Sequence, residues 1–182
     1  MEVFDRISDE IAAFILEQPL FFVATAPSEG GHINLSPKGM GTLRVIDPTT
    51  VAYLDLTGSG NETSAHVAEN GRLTIMLCSF GSKAMILRLY GRGRTVLPGD
   101  DEFYRLKPHF PNVTGERQII ALDIERVQTS CGYAVPRMDN PRNRDTLVRW
   151  AENKGEDGLK AYREQKNVVS IDGLPAPIGA KR

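Results

Sequence analysis

The chain has 182 residues, 41% hydrophobic and 25% charged, a balance that suits one globular domain with a real apolar core. Its formal net charge of -1 provides no global positive field to hold it on nucleic acid or an anionic membrane, so neither partner is expected. Two cysteines, Cys78 and Cys131, without C-x-x-C spacing or a nearby histidine cluster, leave neither a disulfide framework nor a zinc site.

Met1-Glu2-Val3-Phe4-Asp5 lacks a basic segment followed by an apolar run, and no stretch approaches the roughly 18 apolar residues of a membrane helix, so a cytoplasmic location is expected. Ser8-Asp9-Glu10 precedes a helix-spaced stripe of Ile11, Ala12, Phe14 and Ile15, which predicts a helix over about 8–18, ending before Pro19. Leu20 to Thr25 is a continuous apolar and β-branched run closed by Pro27 and Gly30-Gly31, as in a buried strand entering a hairpin. His32 to Ser36 alternates, and 42–46, 51–57, 72–79, 84–97 and 118–131 also read as strands, separated by turn signals such as Asp47-Pro48, Asn70-Gly71 and Pro98-Gly99. Helices are predicted at about 61–70 and 100–107.

Short strands at this density point to a barrel or sandwich, and the interspersed helices make the fold class α+β. In the C-terminal third, Asn140-Pro141 looks like an N-cap with proline at the first helical position, and a second helix is expected over 156–166. With no internal repeat and no linker, these helices are expected to pack on the barrel as one domain over 1–182, with an extended arm from Ile171 onward.

Three groups of residues carry candidate chemistry. In Asn34-Leu35-Ser36-Pro37-Lys38-Gly39, Asn34 and Ser36 share a strand face and Lys38 follows a proline expected to end the ladder, which collects donors suited to an anion or a polar ring edge. An exposed turn with a solvated lysine would explain the same residues. Thr57-Gly58-Ser59-Gly60-Asn61-Glu62-Thr63 runs from a strand end into a helix start, whose unpaired N–H groups form an anion site. Ser59 and Glu62 also have capping-box spacing, which would satisfy those donors internally. Arg88, in mid-strand among Ile86, Leu87, Leu89 and Tyr90, must find a carboxylate, a phosphate or a subunit interface.

Other features are weaker. His32, His66 and His109 form no catalytic order; Arg137, Arg142, Arg144 and Arg149 alternate with acids as on a solvated helix face; Trp150 suits a core or an interface; and Cys131 suits a pocket lining or, more commonly, a buried site.

Taken together, Phe21-Phe22-Val23-Ala24-Thr25-Ala26, the Asn34–Gly39 segment, Tyr53-Leu54-Asp55-Leu56-Thr57-Gly58-Ser59-Gly60-Asn61-Glu62-Thr63 and Ile86-Leu87-Arg88-Leu89-Tyr90-Gly91 resemble, in order and spacing, the pyridoxamine 5'-phosphate oxidase-like, FMN-binding split-barrel family over about 15–134. Ser130-Cys131-Gly132-Tyr133-Ala134-Val135-Pro136 and Ser170-Ile171-Asp172-Gly173-Leu174-Pro175 resemble one branch of it. The resemblance implies a six-stranded antiparallel split barrel with flanking helices and a C-terminal helical extension over about 140–182. It also implies a homodimer with an FMN in each of two clefts lined by both subunits.

On that mapping Asn34, Ser36 and Lys38 meet the flavin ring edge and ribityl chain, Ser59, Asn61 and Thr63 help hold the phosphate, and Arg88 reaches the same cleft as a second phosphate ligand. The Arg-Leu-His and terminal Arg-Leu-x-Pro stretches that bind substrate phosphate in true pyridoxamine phosphate oxidases are absent, so that substrate is not expected. The family's basic pair in the phosphate loop is replaced by Asn61-Glu62. The leading expectation is a flavin-dependent oxidoreductase acting on a small molecule or electron donor. The alternative is a non-enzymatic binder of a flavin or tetrapyrrole, with a deazaflavin or haem in place of FMN; for haem, His66 or His32 would be the axial ligand.

Overall fold

The computed structural model describes residues 1–180. Helix α1 (Asp9–Glu17) starts where the Ser8 hydroxyl accepts the Ile11 N–H, and it buries Ile11, Phe14 and Ile15. Strands β2 (Leu20–Thr25) and β3 (Asn34–Gly39) form a hairpin, and β4 (Leu43–Asp47) and β5 (Thr50–Leu56) form a second one. Helix α2 (Glu62–Asn70) ends at Gly71, whose positive φ supplies the left-handed C-cap, and leads into β6 (Arg72–Cys78). Strand β7 (Ile86–Val96), the short helix α3 (Asp101–Leu106) and the long strand β8 (Glu116–Ser130) complete the sheet.

All pairings are antiparallel, in the order β3-β2-β6-β7-β8-β5-β4. The C-terminal half of β8 also pairs with β1 (Glu2–Phe4). The sheet therefore has eight strands where the resemblance implied six. Strand β1 escaped the sequence reading because it has three residues, all exposed, and so no alternation to detect.

The sheet curls round an interior of Phe21, Val23, Tyr53, Ile75, Leu87, Leu89, Leu122 and Val127, plugged by α1. On the outer side of β5, β7 and β8, a second cluster of Leu54, Val96 and Ile119 is covered by Phe103 and Leu106 of α3 and by Phe110. With both faces covered, β5 is buried at every position from Val51 to Asp55.

Strand β3 continues through Pro37, where the sequence reading ended it at Ser36. It is the terminal strand of the sheet, and proline, lacking an N–H, is tolerated at an edge. The C-terminal helix does not open at Asn140, which has a φ of 53°. It runs as α4 (Thr146–Lys166) and breaks at Gly155, close to the expected start of the second helix.

Residues 138–144 instead cross the sheet edge, with Met138 N–H donating to the Phe80 carbonyl. The tail is a stapled turn rather than a free arm: Ser170 Oγ accepts from the Asp172 and Leu174 N–H groups, and Val169 bridges Pro175. Cys131 is exposed, against the more common buried state, and Cys78 is buried. Among the described residues no helix is long and apolar enough to cross a membrane.

Candidate functional site

The curl brings the end of β3 opposite β5, and the gap between these strands is bridged by side chains instead of main-chain pairing. Asp55, only 2% exposed, is the centre of that bridge. Its Oδ1 accepts from Lys38 Nζ at 2.8 Å, and its Oδ2 accepts from Arg117 Nε at 2.7 Å and Gln118 Nε2 at 2.8 Å. Burial pushes the Asp55 carboxyl up, but the charges of Arg117 and Lys38 and their hydrogen bonds outweigh it and hold the group well below the usual carboxylate range.

A polar cavity of about 310 Å³ lies above this cluster, lined by Asn34, Ser36 and Lys38 of β3, Asp55, residues 58–63 and Arg117. Six of the seven residues singled out from sequence thus meet in one place: Asn34, Ser36, Lys38, Ser59, Asn61 and Thr63. Along β3 the period of two puts Asn34, Ser36 and Lys38 on one face, paired with Thr25, Val23 and Phe21 of β2. Asn34 Nδ2 donates to Thr25 Oγ1 and Thr63 Oγ1, and Ser36 Oγ donates to Asn34 Oδ1, so the Ser36 oxygen presents its lone pairs to the cavity.

Arg88 is not among the lining residues. Its register partners are Met76 of β6 and Gln128 of β8, it lies one residue out of phase with the interior Leu87 and Leu89, and its Nη1 donates to Ser130 Oγ at 3.3 Å. No ion pair joins it to a carboxylate among the described residues. Neither histidine considered for haem lines the cavity. His66, a residue of α2, is 1% exposed with its Nδ1 on Thr25 Oγ1, and His32 is paired with Asp172 at 2.7 Å.

The loop after β5 has both features an anion site needs. The capping box is not formed: Asn61, not Ser59, is the N-cap of α2, and it makes no side-chain hydrogen bond to the helix. Its carboxamide is used elsewhere, accepting from Gln118 Nε2 at 2.8 Å and donating to the Asn167 carbonyl at 2.9 Å. Glu62 turns to the C-terminal turn, where it accepts the Ile171 N–H. The N–H groups of the first turn are therefore left for a ligand beside the cavity, with the positive end of the helix dipole behind them. Arg117, 4% exposed, has a buried Nη1 with no partner. A buried unpaired guanidinium nitrogen is costly, and an oxyanion would satisfy it. This donor set fits the phosphate-bearing end of a nucleotide.

Sequence reasoning missed Asp55, Arg117, Gln118 and Asn167. Asp55 carried a usable signal, since a carboxylate inside the apolar run Val51–Leu56 has to be paired. Arg117 precedes the equally apolar Ile119-Ile120 and could have been matched to it by charge. Asn167 carried none, because it acts from the far end of the chain through the Gly58 and Asn61 loop.

A curled antiparallel sheet with a polar cleft at its split edge defines a split-barrel protein. Residues 7–131 match the family model described as pyridoxamine 5'-phosphate oxidase, and the chain belongs to that family. A relative from Aspergillus flavus, the pyridoxamine 5'-phosphate oxidase family protein ustO, is 41% identical over 98% of this chain and 79% of its own length. Among solved structures, a pyridoxamine 5'-phosphate oxidase assigned by similarity from Lactobacillus delbrueckii superposes with a TM-score of 0.56 at 18% identity, over 70% of this chain and 99% of that one. HupZ from Group A Streptococcus gives 0.54 at 20% identity, over 69% and 94%. At these identities the two structures support the fold alone.

Proposed function

We propose that the cleft between β3 and the β5–α2 loop binds the phosphate and ribityl end of FMN, and that the protein is a flavin-dependent oxidoreductase working as a homodimer on a small molecule. The observation that carries this is the convergence of an open helix start, the unpartnered Arg117 Nη1 and the Ser36–Lys38 face on one polar cavity, in a chain of this family. At about 310 Å³ the cavity is at the small end of ligand sites, which suits a cofactor whose remaining part is covered by a second subunit.

When bound, the flavin supplies the hydride or electron transfer. The chain's own residues bind and orient: Arg117 Nη1 and the N–H groups of the first α2 turn meet the phosphate, and Ser36 Oγ accepts from a ribityl hydroxyl. Lys38, held in place by Asp55, keeps two N–H donors for the cofactor. Dimerisation would also cover the half-buried outer face on which Arg88 lies.

The test is the visible spectrum of purified protein before and after FMN addition and gel filtration, with light scattering on the same sample. Retained flavin absorbance in a dimer is the expected result. Protein that stays colourless refutes flavin binding, and flavin held tightly without turnover by any reductant or by oxygen would make the protein a binder instead of an enzyme.

A further inference from the structure

A second cavity, of about 300 Å³, opens on the other side of Arg117, between the barrel and the C-terminal helix. Its lining divides by chemistry. Leu97, Pro177 and Ile178 are apolar, whereas Arg117, Lys160 and Arg163 bring three cations against the one carboxylate of Glu164. Arg117 shares its charge with Asp55 through Nε, and its buried Nη1 has no partner.

Arg163 is half-buried and bonds only neutral oxygens: Nε donates to Thr57 Oγ1 at 2.9 Å and Nη2 to the Glu116 carbonyl at 3.0 Å. No carboxylate pairs with Arg163 among the described residues. Two guanidiniums thus stand close enough to act on each other, and of the two only Arg117 has a carboxylate partner, Asp55. Burial and the Arg117 charge both lower Arg163 from its ordinary value, with Glu116 offsetting them only in part. A fold does not hold such a pair without cost unless an anion completes it.

We infer that this cavity is a second binding site, taking a small organic anion, a phosphate monoester or carboxylate with a compact apolar body, whose acid group joins Arg117, Lys160 and Arg163 and whose body lies on Leu97, Pro177 and Ile178. The site belongs to the C-terminal extension and shares Arg117 with the cleft proposed for the flavin, whereas Lys160 and Arg163 line this cavity alone.

Phenyl phosphate is the probe, titrated calorimetrically into the full chain at constant ionic strength, with phenol as the uncharged control. Saturable binding of phenyl phosphate and none of phenol is expected. Lys160→Glu, a change at an exposed residue, should weaken binding at least tenfold, and Lys38→Gln, at a residue that lines the first cavity and reaches Arg117 only through Asp55, should weaken it less than Lys160→Glu does. Absence of saturable binding overturns the inference, and so does equal affinity in Lys160→Glu. A loss confined to Lys38→Gln would place the anion in the cleft and also overturn it. Lys160 lies outside the first cavity, so the Lys160→Glu comparison, made on FMN-free protein, reads this cavity whether or not the flavin reading holds.

Discussion

Asp55→Asn isolates the charge at the centre of the cleft while keeping its shape. The wild-type carboxylate accepts three hydrogen bonds, two from cations, at 2.7–2.8 Å and 2% exposure. The amide removes the negative charge and turns a donor towards other donors, leaving Arg117 buried and uncompensated. Breaking a buried pair in this way costs about 3–5 kcal/mol.

The depressed folded-state pKa fixes the pH dependence. Stability from Asp55 is fully present above the unfolded-state value and is lost as pH falls towards the folded one. The wild-type advantage should therefore be flat from pH 7 to about pH 5 and smaller by about 1.3 kcal/mol at pH 3, taking an unfolded pKa of about 3.9. Urea denaturation of both proteins at one fixed protein concentration, repeated across that range, measures it. A cost under about 1 kcal/mol at pH 7, or a difference unchanged down to pH 3, would refute the assignment of Asp55 as a paired anion.

Two further substitutions test the frame around the cleft. Gly91 sits at the bulge between β7 and β8, where an added Cβ would collide with the Asp123 carbonyl oxygen of the neighbouring strand, so Gly91→Ala should cost about 3 kcal/mol in a thermal or urea melt. Gly58→Ala, with nothing within 4 Å of the new methyl group, is the control and should be near neutral. Asn61→Ala removes the link from Gln118 to the Asn167 carbonyl and should cost about 2 kcal/mol. It should also speed proteolysis between 167 and 176, and unchanged cleavage there would show that the C-terminal turn is held by other contacts.

The parts of the fold legible in the sequence were those with a local cause. Ser8 before the Ile11–Ile15 stripe, the alternation of the strands and the left-handed Gly71 each act within a few residues, and the corresponding elements form as read. Failures came where distant contacts decide. Asn140-Pro141 has the local chemistry of a helix start, yet its segment is drawn along the sheet edge, where Pro141, Arg142 and Leu147 line an apolar cavity with Pro19, Leu20 and Trp150. Ser59 and Glu62 have capping-box spacing, yet Glu62 turns to Ile171, 109 residues away. The same holds for the site: the β3 residues and the loop after β5 were readable as motifs, whereas their partners Arg117, Gln118 and Asn167 arrive through the β5–β8 register and the packing of the tail.

The polar bridge between β3 and β5 also explains why the barrel is split there. Closing that gap with main-chain pairing would remove the space in which Lys38, Ser36 and residues 58–63 face one another. An apolar seam of the same volume would hold the strands at least as firmly, since ionic pairs in a protein interior roughly break even against hydrophobic replacements. Stability alone therefore does not account for three charged residues at this seam. Their distinguishing property is that Asp55 positions two cations while leaving a buried nitrogen of Arg117, Nη1, without a partner and two hydrogens of the partly exposed Lys38 unspent on it, donors that an anion in the cleft would satisfy.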